Sequence, residues 1–213
     1  MLTDAQIDRY CRQLILPEVG AAGQQRLLRS TVRLHGRGDA ALVCASYLAG
    51  AGVGALALEG APLHGATAAA LGLDGGGEEE IGRWIARRNP DCRWLPAAGL
   101  ARPSAAVAIG TPLPARLPEA AVMLWGGADA ERLICAQLPA GRACRECLDA
   151  FVGAARADEP STLLGTFIAL ATLRALLAVE PIDRPVVWQV DWERPQARPM
   201  ALPSRPGCVL CAP

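Results

Sequence analysis

The chain contains no lysine: all 21 of its basic residues are arginines, set against 21 acidic residues. The absence of an amine excludes Schiff-base chemistry and leaves arginine to make any phosphate contact that lysine would make elsewhere. Because the charges cancel, the chain has no broad field that would favour nucleic acid or an anionic membrane as a partner.

Long apolar runs are also absent, since none reaches the roughly 18 residues that a membrane-spanning helix needs. Residues Met1 to Gln6 lack the basic and then apolar pattern of a signal peptide. Eight cysteines in 213 residues do not suggest a disulfide scaffold, and thiolates reserved for metal fit a reducing compartment. We therefore expect a cytoplasmic protein with no membrane or nucleic-acid partner and, at 52% hydrophobic residues, one sizeable core.

Two Cys-x-x-Cys pairs stand out, Cys144 with Cys147 and Cys208 with Cys211. Four thiolates in two pairs can close a tetrahedral shell around one zinc ion. Because protein would fill all four positions, the predicted site is structural and ties the C-terminal end of the chain to the rest of the fold. Two redox dithiols are the alternative interpretation of the same pairs.

Strand and helix patterns alternate along the chain, which predicts an α/β fold with a mostly parallel sheet and helices on both faces. The first helix, 3–16, begins at a cap on Thr3 or Asp4 and ends before Pro17. The other predicted helices are at about 40–50, 78–88 and 161–179. The predicted strands are at 31–34, 55–59, 92–95, 105–110, 120–125, 132–137 and 186–190. The apolar residues of the first helix fall on one face: Ile7, Tyr10, Cys11, Leu14 and Ile15.

Four blocks of sequence resemble the ThiF/MoeB/HesA family, the bacterial relatives of ubiquitin-activating enzymes. They run in register from the first helix to the second Cys pair. The blocks are Arg9–Gly20 followed by Gly23 and Gln24, Tyr47–Gly54, Arg88–Pro90, and Pro206–Cys208 with the two Cys pairs.

This resemblance implies a Rossmann-like sheet, usually in a homodimer, that binds ATP and Mg²⁺ and adenylates the C-terminal glycine of a ubiquitin-like sulfur carrier. It also implies a single domain over 1–213. Within it, 1–30 is an N-terminal helical arm, 31–137 is the half with the nucleotide site, and 138–213 is the half tethered by zinc.

The phosphate loop of such a site corresponds here to Gly36-Arg37-Gly38-Asp39-Ala40-Ala41. Glycines let backbone N–H groups reach phosphates at the N-terminus of a helix. Asp39 opposes that role, because we expect it at the N-cap, where its carboxylate takes those N–H groups and repels a triphosphate.

The other nucleotide ligands implied by the resemblance are largely missing. An Asp is implied after the second strand, where this chain has Gly60, with Glu59 one position early. The Asn-Leu-x-Arg-Gln block, the lysine that follows it and the later Cys-Thr-Asp-Asn run are absent, apart from Thr111 in the last of these. Few carboxylates are thus left for Mg²⁺, which needs oxygen ligands.

Arg9 and Arg12 of the first helix survive, and the resemblance implies that the second of them reaches into the ATP site of a partner subunit. Their alternative interpretation is two surface arginines on an amphipathic helix. The remaining thiols, Cys11, Cys44, Cys92 and Cys135, are expected to be inert.

Three functions fit these residues. The first is a non-adenylating family member that acts by association with itself, with an intact relative or with a ubiquitin-like tail. The second is a working adenylyltransferase with rebuilt ligands, Arg37 for the lysine and Glu59 or Asp74 for the aspartate. The third is an NAD(P)-dependent oxidoreductase, because Gly36-x-Gly38-x-x-Ala41 with Glu59 fits the dinucleotide-binding fingerprint. The missing ligands favour the first.

Overall fold

A computed structural model describes residues 1–36, 38–60, 69, 72–73, 78–96, 100, 102–110, 120–129, 131–139, 145–153, 162–179, 183–191, 193, 196–203 and 206–208. Six helices lie within these ranges: α1 Asp4–Leu14, α2 Gly20–Arg29, α3 Gly38–Ala51, α4 Glu78–Arg88, α5 Arg145–Val152 and α6 Thr162–Leu177. Eight strands lie there too: β1 Thr31–Gly36, β2 Ala55–Glu59, β3 Arg93–Trp94, β4 Ala105–Ile109, β5 Val122–Ala128, β6 Arg132–Pro139, β7 Val186–Asp191 and β8 Arg198–Ala201.

The eight strands form one sheet in the order β3-β2-β1-β4-β5-β6-β7-β8. The pairings from β3 to β5 are parallel, and those from β5 to β8 are antiparallel. The strand order reverses between β1 and β4, which lie side by side. In open α/β sheets the crevice at such a reversal, beside the carboxyl ends of the strands, is where ligands bind.

Helices cover both faces of this sheet, as the sequence predicts, but unequally. The larger core cluster packs β1, β2, β4, β5 and β6 against α3, α4 and α6. A smaller cluster on the other face packs β5, β6 and β7 against α5. The period of two sends neighbouring residues to opposite faces, so that Cys135 belongs to the larger cluster while Ile134 and Ala136 belong to the smaller one.

The first helix is capped as expected. The side chain of Thr3 accepts a hydrogen bond from the backbone N–H of Gln6, and the side chain of Gln6 accepts one from the backbone N–H of Thr3, which makes a capping box. Its apolar face, however, is not a core face. Tyr10 is 1% exposed, whereas Ile7 and Ile15 are 45% and 79% exposed.

The described edges of the sheet are short or blunted. β3 has two residues. On β8, the N–H of Leu202 donates to the carbonyl of Pro185, so alternation directs the main-chain groups of Pro199 away from β7. The outward side of β8 therefore lacks a donor at Pro199, as expected of an edge strand.

Within the described ranges, no helix is both long and apolar enough to span a bilayer.

Candidate functional site

The motif residues of the N-terminal half meet at one place, where α1 lies against the turn that follows α4. The hydroxyl of Tyr10 donates to Oδ2 of Asp91 at 2.9 Å and accepts from Nδ2 of Asn89 at 2.9 Å. Asn89 Nδ2 also donates to the carbonyl of Ala49 at 2.7 Å, which connects α1 to the end of α3. We call this network of Gln6, Arg9, Tyr10, Asn89 and Asp91 the α1 lock.

The α1 lock is buried at its centre and more open at its rim. Asn89 is 1% exposed and Tyr10 is 1% exposed. Burial is the main cause that raises the pKa of Tyr10 to about 12, and the nearby Asp91 carboxylate raises it further. The hydroxyl therefore stays protonated and keeps donating to Asp91 throughout the neutral range.

Gly52, in the second motif block, packs directly against the α1 lock. Gly52 has a φ of +91°, and a Cβ placed there would lie 2.9 Å from the ring of Tyr10 and 2.5 Å from the amide nitrogen of Gln24. No side chain fits between them. The glycine is thus required by close packing of α1 and α2 against the end of α3.

The two candidate arginines, Arg9 and Arg12, differ in their relation to the α1 lock. Arg9 Nε forms an ion pair with Asp91 Oδ2 at 3.1 Å, so its guanidinium belongs to the lock. Arg12 is exposed in the last turn of α1 and makes no hydrogen bond or ion pair with another described residue. Of the two, Arg12 alone is available to a partner.

Sequence reasoning missed Asp91, on which three side chains converge. Its partners Gln6, Arg9 and Tyr10 lie 81 to 85 residues away along the chain. The local signal was the Asn-Pro-Asp run, in which the Asn89 side chain accepts from the N–H of Asp91 at 3.0 Å and shapes the turn.

The second candidate region is the crevice beside the carboxyl ends of β1, β2 and β4, where the resemblance predicts the nucleotide. β1 ends at Gly36 and α3 begins at Gly38, as a phosphate loop requires. Asp39 is the second residue of α3 and lies in its first turn, two positions beyond the N-cap and not at the N-cap as the sequence predicts. Its negative charge still lies at the end of the helix that would receive a phosphate.

Gly60 lies at the end of β2, beside the crevice. Its φ is +104°, and a Cβ placed there would lie 2.8 Å from the carbonyl oxygen of Gly36. The obstacle is backbone, which cannot rotate away as a side chain can. Gly60 is the position at which the resemblance implies an aspartate, and in this conformation it accepts no side chain without a shift of β1 or β2.

Glu59, the other candidate for that role, is held by its own sheet. Glu59 pairs with Nη2 of Arg33 at 2.5 Å and with Nδ1 of His35 at 3.6 Å. All three side chains are partly exposed, at 29% to 44%. Alternation along β1 directs Arg33 and His35 to the face opposite Val32 and Leu34, which contact α3 in the larger core cluster.

Several predicted site residues lie outside the described part of the chain. They are Arg37, Asp74, Thr111, Cys144 and Cys211. The remaining thiols are mostly buried: Cys44, Cys92 and Cys135 are at most 3% exposed, and desolvation raises the pKa of each. Cys11 is exposed on α1.

One thiol from each Cys pair is described, and the two meet. Cys147 on α5 and Cys208 are 2% and 1% exposed and form one small buried cluster, edged by Leu202. No group of three or more metal-binding side chains is found among the described residues, which include neither Cys144 nor Cys211. Proximity of one cysteine from each pair is what a shared zinc ion requires, and the zinc itself stays a prediction.

Two cavities, of about 230 and 210 Å³, lie at the antiparallel end of the sheet. The first is lined by residues of β7 and the β8 region, and the second by residues of α6, β6 and β7. Neither is lined by a residue of the crevice, and both are smaller than the roughly 300 Å³ at which small-molecule pockets begin.

No protein-family model matches the chain. A segment of it is nevertheless similar to curated adenylyltransferases. It is 53% identical over 57 residues to an adenylyltransferase and sulfurtransferase MOCS3 of Drosophila willistoni, and 48% identical over 52 residues to a sulfur carrier protein adenylyltransferase of Thermus thermophilus. These segments are 27% and 24% of this chain, and they span 12% and 19% of those relatives.

Solved structures share the fold over most of this chain. PaaA superposes with a TM-score of 0.69 at 14% identity, covering 94% of this chain and 75% of that one. E. coli MccB, crystallised with AMPCPP and MccA, superposes with a TM-score of 0.66 at 15% identity, covering 96% and 74%. The architecture is common to all three chains, while at this identity the chemistry does not follow from it.

Proposed function

The chain is a divergent relative of the ThiF/MoeB/HesA family, and from this premise we propose that it does not adenylate a substrate but acts by association with other chains. Its association is with a second copy of itself or with an intact relative of the family. The C-terminal tail of a ubiquitin-like sulfur carrier is the further partner that the similarity to sulfur carrier protein adenylyltransferases suggests.

The observation that carries this proposal is the backbone at Gly60. Adenylation needs carboxylates to hold Mg²⁺ and to orient the triphosphate. With a φ of +104° and the carbonyl of Gly36 only 2.8 Å from a Cβ, the position where the resemblance implies one such carboxylate excludes any side chain. The loss of this carboxylate therefore involves the backbone at the ends of β1 and β2 as well as the identity of one side chain.

Two further features support an inactive crevice. Glu59 forms an ion pair with Arg33, and His35 Nδ1 lies 3.6 Å from its other oxygen, so its use as a metal ligand would require breaking the pair with Arg33. Asp39 adds a negative charge to the first turn of α3, where a phosphate would bind. The lysine that could offset that charge does not exist anywhere in the chain.

Arg12, by contrast, is available for association with another chain. Arg12 is exposed on α1 with no partner in the described chain, and α1 is fixed in position by the α1 lock. An arginine held this way can be presented to the nucleotide site of an intact relative, where it would stabilise charge on the phosphates.

Calorimetric titration of the purified chain with ATP and Mg²⁺ tests the proposal. We expect no heat of binding, and no ATP–pyrophosphate exchange when a sulfur-carrier C-terminal peptide is added. The sulfur carrier protein adenylyltransferase of Thermus thermophilus serves as the positive control. Exchange activity in the purified chain would refute the proposal and establish the second candidate function.

That second candidate, an active adenylyltransferase, is favoured by the 46% to 53% identity of one segment to curated adenylyltransferases. Titration with NADH, followed by energy transfer from the tryptophans, examines the oxidoreductase alternative in the same preparation. We expect no transfer, because the acidic residue of the fingerprint, Glu59, is already paired.

We also propose that Cys144, Cys147, Cys208 and Cys211 hold one structural zinc ion. The burial of Cys147 against Cys208 supports this, since it brings one cysteine of each pair together at the N-terminal end of α5. When bound, zinc would supply folding free energy and no catalysis, because four thiolates leave no open position.

Metal analysis of the purified chain should find about one zinc per chain. Cys147→Ser and Cys208→Ser should each release the metal and lower the melting temperature strongly, whereas Cys11→Ser, at an exposed thiol, should do neither. A melting temperature that does not change after chelation would contradict the zinc proposal.

A further inference from the structure

The cavity of about 210 Å³ lies between α6 and the strands β6 and β7, on the face of the sheet that carries the larger core cluster. Its lining is mostly apolar: Phe167, Leu170 and Ala171 come from α6, and Trp188 comes from β7. None of the described residues that line it belongs to the crevice or to the α1 lock. A ligand bound here would therefore be separate from the association proposed above, and its recognition does not depend on that proposal.

One polar side chain of this cavity is almost fully buried. Gln137 of β6 is 7% exposed and lines the cavity. Alternation along β6 places it on the same face as Leu133 and Cys135, which belong to the larger core cluster. Its side-chain amide makes no hydrogen bond with any residue that the structure describes. Because buried amides are nearly always partnered, we expect the partner of Gln137 to be a molecule in the cavity.

The charge at the cavity is positive. Arg174 lies on α6 one turn after Leu170, and no acidic residue is found among the described residues of the lining. A guanidinium has five N–H donors in a planar fork, so it can keep a bond within the protein and still donate to a ligand. A carboxylate suits Arg174 and Gln137 together, because its oxygens only accept and both side chains offer N–H donors.

We propose that this cavity binds a small aromatic carboxylate, a molecule with one ring and one carboxyl group. The carboxylate accepts from Arg174 and from the amide of Gln137, and the ring lies among the apolar side chains. The volume sets the size of the ligand, since 210 Å³ is below the range of drug-sized molecules. The rings of Phe167 and Trp188 favour an aromatic ligand, because aromatic pairs gain from stacked and edge-to-face contacts.

Water is the competing occupant, because a polar group at a cavity of this size leaves room for several water molecules. Water would satisfy the amide of Gln137 but would gain nothing from the apolar walls. An aromatic carboxylate displaces that water, satisfies the same amide and removes its own ring from solvent. The two occupants are therefore distinguished by whether an aromatic acid binds.

Titration of the purified full chain with benzoate, followed by NMR, tests the proposal. The signals to follow are the side-chain amide of Gln137 and the indole N–H of Trp188. We expect saturable binding with a dissociation constant of about 1 mM or below. Benzyl alcohol has the ring without the charge, and acetate has the charge without the ring. Each should bind about tenfold more weakly or worse, because each loses one half of the recognition.

Two outcomes of this titration would overturn the proposal. Benzoate that produces no saturable shift would show that the cavity holds water only. Benzoate that binds no more tightly than benzyl alcohol would show an apolar cavity that does not recognise a carboxylate.

Gln137→Leu separates recognition from stability. It removes an unpaired buried amide at nearly constant volume, so the melting temperature of the ligand-free chain should stay unchanged or rise. Benzoate binding should weaken about tenfold, because two N–H donors are lost. Unchanged benzoate binding in this variant would overturn the proposal.

Gln189→Leu is the matched control for Gln137→Leu. Gln189 lies on the neighbouring strand β7 and on the opposite face of the sheet, where it accepts from Arg132 at 3.2 Å and donates to Asp191 at 2.8 Å. Because this amide is paired within the protein, its loss should lower the melting temperature. Benzoate binding should not change.

A substitution of Arg174 tests the charge. Arg174→Gln should weaken benzoate about tenfold or more and leave benzyl alcohol unaffected, so that the preference for the acid disappears. Arg174→Lys keeps the charge and should recover part of that preference. A purely structural role for Arg174 would move both ligands alike. Arg198→Gln, at a residue that lines the other cavity, is the control and should leave both affinities unchanged. A preference for benzoate that survives Arg174→Gln would overturn the proposal.

Discussion

The α1 lock and the crevice at the ends of β1, β2 and β4 lie in the same half of the chain, yet they differ in completeness. In the lock, Tyr10, Asn89 and Asp91 satisfy one another through hydrogen bonds of 2.9 to 3.0 Å. In the crevice, Gly60 stands where a carboxylate is implied, and Glu59 is paired within the sheet. Among the described residues the contacts that hold α1 in place are complete, whereas the contacts that would hold a nucleotide are the ones that we propose to be lost.

The difference bears on how the resemblance is interpreted. Arg9, Gly52 and Asn89 are motif residues, and each has a structural reason in the lock. Similarity in these blocks therefore indicates how α1 attaches and does not by itself indicate catalysis. The four predictions that follow test the contrast, from the largest expected effect to the smallest.

Removing the Asn89 side chain from the centre of the α1 lock should reduce the stability of the protein most. Asn89→Ala deletes hydrogen bonds to Tyr10, to Ala49 and from Asp91. We expect the free energy of unfolding to fall by about 3 kcal/mol, because partners that are buried lose their acceptor or donor. Urea denaturation measures the change. Gln6→Ala, which removes one contact at the rim of the same network, should cost less than about 1 kcal/mol; equal costs would mean that the lock has no buried centre.

The lock should also weaken at alkaline pH. The pKa of Tyr10 in the folded protein is raised to about 12, mainly by burial, from an ordinary value near 10. The folded state therefore binds this proton more tightly than the unfolded state does. The corresponding stability, about 2 to 3 kcal/mol, is fully present below about pH 10 and is lost as the pH rises towards 12.

Free energies of unfolding measured from pH 8 to pH 12 test this. Tyr10→Phe should remove that part of the alkaline loss, while Tyr47→Phe, at a tyrosine that is 52% exposed, should keep it. Identical alkaline profiles for the unaltered chain and Tyr10→Phe would show that the hydroxyl does not titrate in the lock.

Restoring the implied carboxylate at position 60 should not restore ATP binding. Gly60→Asp supplies the implied carboxylate but places a Cβ against the backbone of Gly36 at a φ of +104°. We expect a loss of about 2 kcal/mol and still no heat with ATP. Gly72→Asp, at a φ of +71° with nothing within 4 Å, is the control and should cost about 1 kcal/mol. A Gly60→Asp chain that is as stable as the control and binds ATP would contradict an inactive crevice.

The smallest effect should come from Asp39. Asp39→Asn removes a negative charge from the first turn of α3 and should cost about 0.5 kcal/mol through the helix dipole. Asp4→Asn, in the first turn of α1, is the matched control with a similar cost. Neither should produce heat with ATP, and binding by Asp39→Asn would identify that one carboxylate as the block.

Much of the fold follows from local pattern. The predicted strand 55–59 and helix 78–88 agree with β2 and α4, because a continuous apolar run and a 3.6-residue period are strong signals. Three elements were missed. α2 has no side-chain cap, α5 has eight residues, and β8 is a four-residue strand that contains a proline. A side-chain cap, sufficient length and an uninterrupted strand pattern are the signals by which such elements are predicted from a single sequence, and each of these three elements lacks one of them.

The site was less predictable, since its decisive features depend on distant contacts. The sequence places a glycine at position 60 but does not give its φ or its distance from Gly36. Asp91 looks like a turn residue, and its role appears only when α1 packs against it from more than 80 residues away. The sequence groups Ile7, Tyr10 and Ile15 on one apolar face, but the structure buries Tyr10 and leaves the two isoleucines exposed, because the side on which the helix docks depends on polar partners elsewhere.

One proline has a consequence for how this protein behaves at high concentration. A chain whose formal charges sum to zero has no long-range repulsion to keep its copies apart. Growth of the sheet from one molecule into the next would need a continuous row of amides along β8, and Pro199 interrupts that row. Pro199 therefore limits association of molecules through the edge of β8, a role that surface charge has in more highly charged proteins.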